Sequence, residues 1–456
     1  MAADPFKTRS ARRKAVYATV ISAAQHQLQR SVRVWDLADV FDDEELDAED
    51  GGVARVKLRR RVYERTDYRK SGWWQEIQDA ELADHNSRAA RRFRANFRVP
   101  YPFFKQLVAL VRERDWFPTA ERDALGRPCI PVELKVLACL QILARGNAFA
   151  DVYHMSFISA QTAATTFHSF CRYFARELYD EHIYLPTGEY QDKVMEQYDK
   201  IGFPGAIGST DVTHIPWGMC PNNQSRTYTG KEGFPTVAYQ VTVDHTKRVL
   251  AVTPGFTGST NDKAIIRFDT AVTRVRTDPI FTERAYKVFR SDGTPYEMKG
   301  CYLLVNNEYH KWTTLLSPSK YPIDRDDLAF SKRLESERKD VECFFGICKG
   351  RFRILKVPSG FHKQEYIDNV FFTCCIIHNM LHSFDGMGEM DVDPDWESSG
   401  DSGESEESGP SQALSSVGGK DSLTEEVEVE VESGFAQKRQ ALVTSFAYRK
   451  RVGDIV

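Results

Sequence analysis

Two carboxylates stand where a carboxylate is costly. Asp211 lies between Thr210 and Val212 in FPGAIGSTDVTHIPW, whose small and apolar residues predict a strand over residues 206–215. A charge inside such a strand is unfavourable unless it is paired or metal-bound. Glu342 lies in SKRLESERKDVECFFGICKGRFRIL, which reads as one long helix with apolar Leu334, Val341, Phe344, Phe345 and Ile347. Hard divalent cations such as Mg²⁺ take oxygen ligands, mainly carboxylates. Phosphodiester hydrolysis and strand transfer commonly use two such ions about 3.5–4 Å apart. Taken singly, Asp211 reads equally well as a turn or cap residue, and Glu342 as a solvated helix charge or a partner of Arg338.

The surrounding elements must position this pair. TVAYQVTVDH and RVLAVTPGF are β-branched runs separated by the short link His245–Lys247, a hairpin pattern. TNDKAIIRFDTAV opens on an N-cap-like Thr260–Asn261 and turns helical. CYLLVNNEY is a short apolar strand over 302–305 ending in polar residues, and EYIDNVFFTCCIIHNMLHSF is an apolar closing helix. Strands followed by helices predict a mixed α/β domain over 201–384.

Upstream, residues 91–200 read as helical. PYPFFKQLVALVRERDWF puts Phe103, Leu107, Leu110 and Val111 on one face, and VELKVLACLQILARG repeats the pattern with Leu134, Leu137, Leu140 and Ile142 before a C-cap at Gly146. A helix, a turn near Phe157–Ile158 and a second helix capped by Ser159 then outline a helix-turn-helix. In that version Gln161, Thr162 and Thr165 face a DNA major groove. In the other version the segment is a plain bundle with polar residues facing water, and the second helix lacks an early basic residue. Residues 1–90 alternate basic and acidic blocks and are expected to be largely disordered, with packing beginning near Trp73 and Trp74. Residues 385–456, rich in Ser, Gly, Asp and Glu, read as a disordered acidic tail with a basic end. That end, residues 438–451, has two basic clusters: a bipartite nuclear-import pattern, or an amphipathic end that folds back on the body or the tail.

Charge sorts along the chain in the same way. Sixteen acidic residues and one lysine lie between Asp385 and Gly434, a net of −15 against −4 for all 456 residues, which leaves +11 on the rest. A basic body suits a polyanion such as DNA, unless the charges are spread over solvated faces. Arg226, Lys231, Lys349, Arg351 and Arg353 lie near the two carboxylates in the motif pattern and suit DNA phosphates, or else form a solvated face; Tyr228 and Phe352 interleave with them. No run of 18 apolar residues suggests a membrane span, and the N-terminus lacks the apolar region of a secretory signal. Nine scattered cysteines without a C-x-x-C pair argue against a zinc finger or disulfide framework and fit a reducing compartment, nucleus or cytoplasm.

Over residues 90–383 the chain resembles the PIF/Harbinger transposases, a group of DDE superfamily endonucleases. GSTDVTHIPW resembles the first acidic motif, usually Asp-Gly-Thr-His, with Val212 in place of Gly. YQVTVDHTKRVLAVTPGFTGSTNDKAI resembles the central block ending in Gly-Ser-x-x-Asp, here Gly258, Ser259 and Asp262. LLVNNEYHKWTTLLSP resembles the second acidic motif, usually Gly-Asp-x-x-Tyr; DVECFFGICKGRFRIL the third; and CCIIHNML the closing helix. FRANFRVPYPFFKQL and the helix-turn-helix outline resemble the family's upstream region.

The resemblance implies a ribonuclease-H-like core with Asp211 on the first strand and position 306 on or just after the fourth. It implies that Asp211 and Glu342 are the first and third ligands of Mg²⁺ or Mn²⁺, and that the second falls on Asn306, in register through Tyr309. Thirty-five residues separate Asn306 from Glu342. The implied reaction is hydrolysis and strand transfer of DNA phosphodiesters in the nucleus, with a separate Myb-like DNA-binding partner and self-association as family expectations. Asn offers a neutral carbonyl and a donor NH₂. Losing one of three carboxylates therefore lowers metal affinity, and misplacement of even ~1 Å costs ~10²-fold in rate. Glu308, two residues on and on the same face if the strand continues, is the nearest substitute ligand; Asp262 and Asp244 are others. Two readings follow: an impaired nuclease, or an inactive copy repurposed for binding DNA or a protein partner.

Overall fold

A computed structural model of the chain describes residues 66–387 and 429–455, apart from residues 119, 123–125 and 127. These form two units, each with its own core. The first takes the chain up to Tyr179 together with Ile215–Arg226 and Cys348–Ile377; the second takes Asp180–His214, Thr227–Ile347 and His378 onward.

The first unit is helical. Helix Tyr101–Glu113 buries Phe103, Phe104, Leu107, Val108 and Val111, so Phe104 and Val108 join the expected face while Leu110 lies half out. Helix Val132–Arg145 is buried along most of its length and ends at Gly146, whose left-handed φ of 66° suits a residue without a Cβ. Phe157 turns the chain at φ 58°, and the Ser159 hydroxyl accepts from the Thr162 amide to cap helix Ala160–Glu177. The helix before this turn, Tyr153–Ser156, is a single turn. Helix Gly72–Ile77 lies inside the span expected to be largely disordered, where packing was expected to begin near Trp73, and helix Arg88–Phe97 starts at its end; both are anchored by aromatic burial, with Trp73 packed edge-on against Phe97.

The second unit is built on a mixed sheet. Strand β1 is Ala206–Pro216, β2 Thr236–Val243, β3 Val249–Val252, β4 Phe256–Thr257, β5 Ala285–Phe289, β6 Pro295–Lys299, β7 Tyr302–Leu304 and β8 Leu315–Leu316. The order is β3-β2-β1-β7-β8, with β4 on β2; β5 and β6 form a separate hairpin. β2 and β3 run antiparallel, as the hairpin pattern predicts, while β7 is parallel to β1 and β8 parallel to β7. Every residue of β2 and β3 is buried, which explains why their apolar and β-branched residues do not alternate with exposed polar ones. Gly208 of β1 is required by close approach, since a Cβ there would run into the Val243 carbonyl of β2.

Three expectations need correction. The long helix is two, Arg325–Glu337 and Lys339–Arg351, broken at Arg338, and Ile347 is 43% exposed rather than packed. β7 stops at Leu304, so Asn306 and Glu308 lie in a turn, where the alternation of a strand does not hold. Residues 388–428, most of the expected acidic tail, lie outside the described residues, as do residues 1–65. Beyond them the chain is ordered: helix Phe435–Val452 buries Leu442, Val443 and Phe446 in the same core as β1 and β7. Two of its basic residues serve the fold. Arg439 pairs with Asp327 at 2.5 Å, and Arg449 with Asp199 and Asp454 at 2.6 Å each. Among the described residues no helix is long and apolar enough to cross a membrane.

Candidate functional site

Within the sheet unit, β1 carries Asp211, the turn after β7 carries Asn306, and the helix break carries Glu335, Arg338 and Glu342 to the same place. Asp211 Oδ1 accepts from the Val212 amide at 2.9 Å and from Asn306 Nδ2 at 3.4 Å. Asn306 Oδ1 in turn accepts from the Glu308 amide at 2.8 Å. That bond fixes the orientation of the side chain: the oxygen must face the N–H, so the NH₂ must face Asp211. Arg338 Nη1 lies 2.6 Å from Glu342 and 3.7 Å from Asp211 Oδ2, while Nε donates to Glu335 at 3.0 Å. A guanidinium thus stands between the two carboxylates that the motifs pair.

Burial pushes Asp211 up to about 6; the Val212 amide and Arg338 oppose this, and the charges of Asp262 and Glu342 add to it. Burial also raises Asp262, with Lys231 opposing and Glu308 adding. Asp262 opens helix Asp262–Phe268 and is therefore a fourth carboxylate whose field reaches Asp211. The Tyr309 hydroxyl is buried without a hydrogen-bond partner among the described residues, in the field of Asp211 and Asp262.

The structure therefore gathers Asp211, Asn306 and Glu342. Glu308 is exposed in the turn. Asp244 faces elsewhere: it accepts from Tyr190, Thr246 and the Arg248 amide and closes the β2–β3 turn. Lys231 sits on a turn held against the end of β4: a Cβ on Gly230 would meet the Gly258 carbonyl, and one on Gly258 would meet Thr236 and the Tyr228 carbonyl. This explains the Gly-Ser of the central motif, with Ser259 Oγ donating to the Thr227 carbonyl at 2.5 Å. Gln161, Thr162, Arg226, Lys349, Arg351 and Arg353 belong to the helical unit. Gln161, Arg226 and Arg353 are exposed; Thr162, Lys349 and Arg351 are half-buried. Phe352 is buried and packs, leaving it no free face for a base. Sequence reasoning missed Glu335, although it stands three residues before Arg338, as Glu342 stands four after, within one helical turn on either side.

As arranged, the donor set does not fit a hard dication. One carboxylate is paired with Arg338, and the amide aims hydrogen at the other. Among the described residues no group of three or more His, Cys, Asp and Glu side chains is placed to hold a metal ion.

Comparison with known proteins follows the same region. Residues 181–388 match the family described as plant transposon protein. The chain is 22% identical over 301 residues to "Protein ALP1-like" of Arabidopsis thaliana, covering 64% of this chain and 70% of that one. It is 23% identical over 204 residues to "Putative nuclease HARBI1" of Rattus norvegicus and 22% identical to the Mus musculus protein of that name. Those two matches cover 44% of this chain and 53% of each rodent protein, so the chain spans about half their length. No solved structure matches. The chain carries a transposon-derived domain and is a relative of the Harbinger-type, transposase-derived nucleases.

Proposed function

We propose that this is a DDE-type DNA endonuclease scaffold whose Mg²⁺- or Mn²⁺-dependent hydrolysis and strand transfer of DNA phosphodiesters is impaired at Asn306. The observation that carries this reading is the contact of Asn306 Nδ2 with Asp211 Oδ1, which puts an amide against the strand carboxylate where the motifs call for a second acid. The sheet supports a ribonuclease-H-like core: β2 and β3 lie on one side of β1, and β7 and β8 continue parallel to it on the other. In this reading Asp211 and Glu342 hold a divalent ion only after giving up Arg338 and the Asn306 amide, and Glu308 would have to swing in from its exposed turn to serve as the substitute third ligand. DNA is the polyanion, held by Arg226, Lys231, Lys349, Arg351 and Arg353, with Gln161 and Thr162 reading a groove. A nuclear location, a Myb-like partner and self-association belong to the same proposal.

One observation favours a second reading, an inactive copy that binds DNA or a protein partner: Arg338 already neutralises Asp211 and Glu342 without a metal. Nicking of supercoiled plasmid in Mg²⁺ and Mn²⁺ separates the two. The impaired nuclease nicks slowly, loses this in Asp211→Ala and Glu308→Ala, and gains rate in Asn306→Asp. Salt-sensitive DNA binding with no nicking in either metal selects the second reading.

A further inference from the structure

β7 runs parallel to both β1 and β8, so Asp211 beyond the paired part of β1, Asn306 beyond β7 and Ser317 beyond β8 all leave the same edge of the sheet. Lys311 ties the last two stretches together: its ammonium donates to Asn307 Oδ1 at 2.7 Å and to Ser317 Oγ at 2.6 Å. The loop from Pro318 to Asp324 therefore starts beside the turn that carries Asn306. It is held at three points. The Ser317 carbonyl accepts from Arg439 Nε at 3.4 Å, the Ser319 amide donates to Ser331 Oγ at 3.0 Å, and the Ile323 amide donates to Asp327 at 3.1 Å. Between these points the loop leaves Tyr321 77% and Ile323 89% exposed. An apolar residue just ahead of a helix ordinarily packs on the fourth helical residue. Here that residue is Leu328 of helix Arg325–Glu337, itself 42% exposed, and Ile323 stays in water. Lys320 Nζ lies 5.7 Å from the Tyr321 ring. Lys320 and Arg325 offset Asp324 and Asp326 in charge, and all four are exposed, so what the loop offers is apolar area rather than electrostatic attraction.

We propose that Tyr321 and Ile323 form a wedge that takes up unpaired bases of DNA beside the phosphate presented to Asp211 and Glu342. The proposal rests on the DNA reading of the carboxylate site. Tyr321 is four residues from Ser317 and so within about 15 Å of it. DNA lying on that edge of the sheet meets the loop. Bases are the apolar part of DNA, and their faces become available only where pairing and stacking are broken. An aromatic ring holds such a base whatever its identity, and an aliphatic side chain fills the opened step. A protein partner fits less well: two side chains of this size present at most about 400 Å², half of the about 800 Å² that each side of a stable interface buries.

Fluorescence anisotropy on the full chain, in chelator and at fixed ionic strength, tests this with two labelled oligonucleotides of equal length: a fully paired duplex and a duplex with an unpaired stretch at its centre. The wild type should bind the second about tenfold more tightly. Tyr321→Ala and Ile323→Ala should each remove most of that preference, and Tyr321→Trp should keep it. Both side chains are exposed, so all three variants should melt like the wild type. Equal affinity of the wild type for the two oligonucleotides, or a preference unchanged in Tyr321→Ala, overturns the wedge and leaves the DNA reading standing. No saturable binding to either oligonucleotide overturns both. A concentration-dependent dimer in sedimentation that Tyr321→Ala dissolves assigns the loop to self-association and likewise overturns the wedge.

Discussion

The side-chain amide of Asn306 donates to the carboxylate of Asp211 across 3.4 Å, from a turn that the Glu308 amide locks in place. An Asp at position 306 would keep the bond from Glu308 but set two carboxylates against each other. Asn306→Asp should therefore destabilise the metal-free protein by about 1.5–3 kcal/mol, the worth of a hydrogen bond to a charged group. Mg²⁺ should restore the lost stability, since a dication relieves the repulsion. Thermal melts of wild type and variant with and without Mg²⁺ read this directly. An Asn306→Asp protein indifferent to Mg²⁺ would show that the three side chains do not share a site.

Arg338 should act as the internal counter-ion of the same cluster. Its side chain is 13% exposed, and it faces Asp211, Glu335 and Glu342, which are 16%, 41% and 46% exposed. Breaking a fully buried pair costs about 3–5 kcal/mol. Two partners here are well solvated, so Arg338→Met should cost less, about 1–3 kcal/mol. The variant should also gain stability from Mg²⁺ where the wild type gains little, because three carboxylates lose their cation. Urea unfolding in chelator and in Mg²⁺ measures both effects. A loss below about 0.5 kcal/mol would mark Arg338 as an ordinary surface helix charge.

These residues show what the sequence could and could not convey. Asp211 was legible because a charge inside a small, apolar strand is conspicuous, and Asn306 only because the resemblance, in register through Tyr309, sets it on the second acidic motif. The phase of Glu308 was not legible: alternation has meaning only while a strand continues, and a three-residue strand does not announce its end. The break at Arg338 was hidden because apolar positions continue on either side of it. An amphipathic end folding back on the body was one of two readings of residues 438–451, but the length and burial of its helix were hidden by averaging. Leu442, Val443 and Phe446 fall at helical spacing, but they sit in a long stretch dominated by Ser, Gly, Asp and Glu.

The same helix supplies a stability test. Phe446 is 2% exposed, lies 5.6 Å from Phe330 and 6.2 Å from Phe203, ring to ring, and packs on Gly202, where a Cβ would meet its ring. Phe446→Ala should cost about 3–5 kcal/mol, as expected for emptying a well-packed aromatic site. A change within about 0.5 kcal/mol in urea unfolding would mean that the end of the chain does not belong to the core.

Asp269 should give the protein a pH dependence independent of the candidate site. It is 2% exposed and caps helix Thr270–Thr277 by accepting from the Ala271 and Val272 amides at 2.8 and 3.1 Å; Gln240 donates to its other oxygen at 3.0 Å. Burial outweighs these bonds and pushes it up to about 6 from an ordinary 3.8. Because the folded value is the higher one, the folded state binds the proton more tightly. The stabilising contribution is complete below 3.8 and is lost as pH rises through about 6. Asn also caps helices well, and Gln240 can turn its amide to accept from the new NH₂, using an oxygen that now has no partner among the described residues. Asp269→Asn should therefore gain on the wild type as pH rises from 4 to 7, reaching at most about 3 kcal/mol for a shift of this size. Urea unfolding of both proteins across that range checks the sign. A gap that narrows with rising pH would mean that the amides and Gln240 hold the carboxylate ionised despite its burial.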